Sequence, residues 1–212
     1  MDNCCAEKAD ELTALRGKHR NVLVTVLVIN AVLFVVEAAA GVLANSTALL
    51  ADSLDMLGDS LVYGFSLYVL WRSAAWKAKA ALLKGVIMAV FGAGVLIQAF
   101  YKATAGALPV AETMGVIGLL VLLGNGLCFF LLARHRSDDL NMRSTWLCSR
   151  NDIIANFSVL VAALGVKIFD ASWPDILVGA SIAALFLKSA FTVLHEYFLE
   201  LRLLRSQSTT AA

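Results

Sequence analysis

Residues 49–61 read LLADSLDMLGDSL, an apolar run that holds three aspartates, Asp52, Asp55 and Asp59. Their offsets of three, four and seven place all three on one face of an α-helix. Ser46, Ser53 and Ser60 add a flanking polar strip. A carboxylate at mid-bilayer costs a few kcal/mol, so such residues face a polar interior and serve a purpose there. The run therefore reads as a membrane helix with a working polar face.

The rest of the chain agrees. Of 212 residues, 60% are hydrophobic and 16% charged, and mean hydropathy is +0.79, too apolar for a soluble domain of this size. Six windows meet the roughly 20 apolar residues that a membrane helix needs: 21–44, 47–71, 79–101, 110–133, 144–169 and 174–200. The expected fold class is thus an all-α integral membrane protein with six transmembrane helices. Lys8, Arg16, Lys18, Arg20, Arg72, Lys77, Lys79, Arg134, Arg136, Arg143, Arg202 and Arg205 fall on one side, against Lys102 and Lys167 on the other. By the positive-inside rule both termini are cytoplasmic. Residues 1–20 form an N-terminal tail, 21–200 the membrane domain and 201–212 a short cytoplasmic tail, with no soluble C-terminal domain expected. Four acidic and four basic side chains in the first twenty residues exclude a cleavable signal peptide. That absence and the short loops suggest a bacterial inner membrane. A formal net charge of +1 argues for no nucleic-acid partner.

The other polar residues in the membrane windows are also in phase. Cys148, Asp152 and Asn156 on the fifth helix are spaced four and four, Asn30 and Glu37 on the first are seven apart, and Asn125 on the fourth sits between two glycines. Buried Asn and Ser can act as interhelical glue. Asp55, Asp59 and Asp152 cannot serve as glue alone, because three carboxylates repel without a cation or protons to share. Two residues from the second helix and two from the fifth can supply four ligands, and three carboxylates with one thiolate suit a tetrahedral divalent ion.

NSTALLADSLDMLGDS (45–60), LCSRNDIIANFSVLVAALGV (147–166) and WPDILVGASIA (173–183) resemble signatures of the cation diffusion facilitators. The resemblance implies a homodimer of six-helix protomers, each exchanging a divalent metal ion for protons. It implies metal ligands Asp55, Asp59, Cys148 and Asp152, with Asp52 outside the four as a supporting residue beside Asn30, Glu37 and Asn156. Family members commonly carry His where this chain has Cys148, and "RSAAWKAKA" (72–80) lacks the family's second, loop-borne metal site.

A thiolate is a soft ligand that favours zinc and cadmium over manganese or magnesium. Metal binding requires deprotonated ligands, so metal and protons compete for one site. Cys4 and Cys5, a vicinal pair in the N-terminal tail, offer a capture point for a soft ion. The expected function is efflux of Zn²⁺ or Cd²⁺ by proton antiport, with no resident cofactor, H⁺ as counter-ion, and membrane lipid, metal ions and a second copy of the chain as partners. Co²⁺, Ni²⁺, Fe²⁺ or Hg²⁺ are the alternative cargoes. An enzyme is not expected: an intramembrane aspartyl protease would carry Gly-x-Gly-Asp, whereas Leu57-Gly58-Asp59 lacks the first glycine. A passive channel fits a compact four-ligand site less well than binding and occlusion do. For the dimer surface, GVIMAVFGAGV (85–95) on the third helix offers small residues for close approach.

Overall fold

In lipid a lone segment can satisfy its backbone hydrogen bonds only as a helix. The computed structural model describes residues 16–69, 74–133 and 140–210, which hold six helices and no strand. They are α1 (Arg16–Leu43), α2 (Thr47–Val69), α3 (Ala74–Ala105), α4 (Ala111–Ala133), α5 (Leu140–Phe169) and α6 (Trp173–Thr210). Five of them are long and apolar enough to cross a membrane. The sixth, α2, matches α4 at 23 residues but carries the three aspartates. The protein is an all-α, multi-pass membrane protein.

Burial is arranged for lipid outside and polarity inside. Val28, Val32 and Val35 of α1, Leu123 and Phe130 of α4, and Phe157 and Leu164 of α5 are all exposed. Asn30, Glu37, Asp52, Asp59, Asn125 and Asn156 are buried. α2 occupies the centre and packs on α1, α3, α5 and α6, while α4 closes a four-helix group by packing on α1 and α5. α3 lies against α6 and α2.

Helix ends depart from the apolar windows. α3 begins at Ala74, α5 at Leu140, and α6 continues to Thr210. Lys and Arg are good helix formers, so a helix need not stop where the hydrocarbon does. At 38 residues α6 is about 57 Å long at 1.5 Å per residue, well beyond the roughly 30 Å hydrocarbon core.

Three tight turns close one end of the bundle. α1 ends with Asn45 at φ 51°, and Ser46 N–H donates back to Gly41 O at 2.8 Å, the pattern of a Schellman cap. Asp170 (φ 46°) ends α5 and Gly106 (φ 68°) follows α3 in the same left-handed conformation. Val110 N–H, just before α4, donates to Ala44 O at 3.0 Å and ties the α3–α4 turn to the end of α1.

Glycine at position 179 is required by close approach. A Cβ there would lie 2.6 Å from the backbone carbon of Thr47, so α6 meets the first turn of α2 backbone to backbone. In the 85–95 stretch, Gly85 and Gly92 face Leu194 and Leu187 of α6 within the same chain, and Gly94 faces open space. Most of the small-residue surface considered for a dimer is thus occupied by α6.

Candidate metal centre

The polar face of α2 meets α5 and α4 through a relay of amides. Asn156 Nδ2 donates to Asp52 Oδ2 at 2.6 Å, and Asn125 Nδ2 donates to Asn156 Oδ1 at 2.8 Å. All three residues are buried, so these bonds form away from competing water. The relay fixes the phase of α5 against α2 one turn from Asp152 and Asp55. Asp52 lies near Asp152 of α5, and Glu37 of α1 lies near Asp52 and Asp55. Carboxyl groups from α1, α2 and α5 therefore share one electrostatic neighbourhood. Asp59 is buried, whereas Asp55 and Asp152 are half-buried.

Among the described residues no three Asp, Glu, His or Cys side chains converge closely enough to hold one ion. The side chain of Cys148 lies outside the described residues, as do Cys4 and Cys5. Asn30 is not joined to the aspartates: its Nδ2 donates to Val26 O at 2.9 Å and to Cys128 Sγ at 3.8 Å. It links α1 to α4, the glue role open to a buried asparagine. Ser46 caps α2, its Oγ accepting from Leu49 N–H at 3.1 Å. Ser53 Oγ donates to Leu50 O at 2.8 Å along its own helix.

A second polar cluster was not foreseen from sequence. Asp175, in the first turn of α6, is fully buried. Its Oδ1 accepts from Ser46 Oγ at 2.6 Å and Ala48 N–H at 3.0 Å, and its Oδ2 from Thr47 N–H at 2.9 Å. Lys102 Nζ of α3 donates to the same Oδ2 at 2.8 Å and to Asn45 O. The carboxylate sits at the N-terminus of α2, where free N–H groups and the helix dipole favour an anion. The one available signal was a lysine just past the third apolar window and an acid at the opening of the sixth; no periodicity pairs residues 73 apart.

A model of the cation efflux transmembrane domain matches residues 23–202. The chain belongs to the cation efflux family, the cation diffusion facilitators. Members are transporters and not enzymes, which sets aside the aspartyl protease reading. The protein is a metal cation efflux transporter of the membrane, and the matched region reaches into all six helices. Compared one by one with curated proteins, the chain finds no match.

Proposed function

We propose that this cation efflux protein exports Zn²⁺ or Cd²⁺ in exchange for protons, with Asp55, Asp59, Cys148 and Asp152 as ligands. The observation that carries the reading is the Asn156–Asp52 bond, which ties α5 to α2 beside the aspartates of both helices. Ligand chemistry supports it further. A thiolate among carboxylates favours a soft divalent ion, and each ligand must lose its proton to bind. A proton entering from outside then expels the metal, and a metal from the cytosol expels protons. Asp52, Asn156 and Glu37 support the ligands, and Cys4 and Cys5 offer a first capture point. Both termini face the cytoplasm of a bacterial cell on this reading, and the transporter works as a homodimer; mass photometry in mild detergent reports the latter.

The test is metal uptake into proteoliposomes at a fixed pH gradient, with a panel of divalent ions and a pH dye inside. Zn²⁺ and Cd²⁺ should move with opposing proton flux, and Asp59→Ala should abolish both while still inserting. Uptake without proton movement would mean a passive channel. Preference for Co²⁺, Ni²⁺, Fe²⁺ or Hg²⁺ would reassign the cargo.

A further inference from the structure

Glu37 is fully buried on α1, and neither of its carboxyl oxygens has a hydrogen-bond partner. It lies within hydrogen-bonding reach of Asp52 on α2, which is also fully buried. Asn156 holds Oδ2 of Asp52, and Oδ1 has no partner. Two ionised carboxylates offer acceptors and no donor, so as a pair they only repel. One proton converts the pair into an O–H···O⁻ bond, the shortest and strongest class of hydrogen bond between such groups.

Among the described residues no side chain hydrogen-bonds the oxygens of Glu37 or Oδ1 of Asp52 in its place. From α2, Asp55 adds negative charge near Glu37, and from α5, Asp152 adds it near Asp52. α4 contributes Asn125, bonded to Asn156, and Cys128, bonded to Asn30. Among the described residues of α3 and α6, Lys102 and Asp175 are paired with one another at the end of the bundle that the tight turns close.

We propose that Glu37 and Asp52 hold one proton between them, at a site separate from the metal ligands, and that this proton leaves when the metal enters. The second half rests on the antiport reading; the first does not. α1 carries none of the four proposed ligands, and Asp52 lies one turn from Asp55, about 4.5 Å along the helix axis. A divalent ion bound to Asp55 need not displace the proton from a shared ligand. Its charge alone makes two ionised carboxylates tolerable at that distance, and the proton passes to solvent. The exchange then has a fixed proton store beside the metal, in addition to whatever the ligands release.

The experiment uses the purified full chain. Zinc is titrated calorimetrically at one pH in two buffers of different ionisation enthalpy, which counts protons released per ion. Glu37→Gln and Asp52→Asn, both near-isosteric, should each release about one proton fewer per zinc ion bound than wild type, whatever the affinity that remains. Infrared spectra of the metal-free protein supply the second readout: a protonated-carboxyl band present in wild type and lost in Glu37→Gln. An unchanged proton count in both variants overturns the exchange role. Absence of the band in wild type overturns the shared proton itself. Wild type that binds zinc without releasing protons, but shows the band, would instead defeat the antiport reading and leave the buried proton in place.

Discussion

At the scale of single residues, Cys148 is where this chain departs most sharply from the resemblance, and on the proposed reading it sets the metal preference. If its sulfur is a ligand, Cys148→Ser should weaken Cd²⁺ transport more than Zn²⁺ transport, since a hydroxyl is a poorer partner for the softer ion. Cys148→His should keep Zn²⁺ activity, because neutral imidazole suits tetrahedral zinc. A free imidazole titrates about two units below a free thiol, so the His variant should hold zinc to lower pH than wild type. Binding isotherms at several pH values check this. Equal behaviour of wild type and Cys148→Ser would make the cysteine packing and leave the site to the aspartates. Asp175 and Lys102 pose a different residue-scale question, one of stability. Both are buried, and removing one leaves the other charge stranded, a loss of about 3–5 kcal/mol. Asp175→Asn and Lys102→Met should each lower the unfolding temperature in detergent. The double variant should lose less than the sum of the two, since it leaves no unpaired charge. Strict additivity would show that the ion pair is not the unit that matters.

At the scale of elements, the number and type of helices were legible because each apolar window is long enough to span and too long to be anything else. The polar face of α2 was legible for a similar reason: offsets of three and four translate directly into a shared side. Which partner meets that face was not. Periodicity places Asn156 on the same side of α5 as Asp152, but says nothing of its bond to Asp52 across 104 residues. Nor does it separate Asn30, which turned to Cys128, from Glu37, which turned to Asp52. Helix ends were misread where charged residues continued a helix beyond the hydrocarbon, as in α6. Glycines divide in the same way. Gly179 and Gly92 look equivalent in sequence, yet a Cβ at 179 meets the Thr47 backbone at 2.6 Å while one at 92 meets the tip of Leu187 at 2.9 Å. A leucine can rotate away; the first turn of α2, held by Asp175, cannot. Gly179→Ala should therefore destabilise the protein clearly more than Gly92→Ala, an overpacking cost of about 1–3 kcal/mol or more. Thermal unfolding of the two variants side by side gives the answer, and equal losses would mean that α6 can slide.

At the scale of the whole molecule, the two halves of the proposed ligand set sit on helices that touch only sparingly, α2 and α5. α2 is anchored through Asp175 and Lys102 to α6 and α3, whereas α5 packs mainly on α4 and more lightly on α6. An ion joining Asp55 and Asp59 to Asp152 would bridge the two helices. Binding to the folded state and not the unfolded one then stabilises the bundle by mass action, by about 2.7 kcal/mol at a hundredfold excess over Kd. Zinc should raise the unfolding temperature of the purified protein, a chelator should reverse the rise, and magnesium should have no effect. Asp152→Ala removes the α5 side of the bridge, so its unfolding temperature should barely respond to zinc. The same variant also reports on location: a full zinc-dependent rise in Asp152→Ala would mean that the ion binds without joining α2 to α5, and the ligand set would have to be sought elsewhere in the chain.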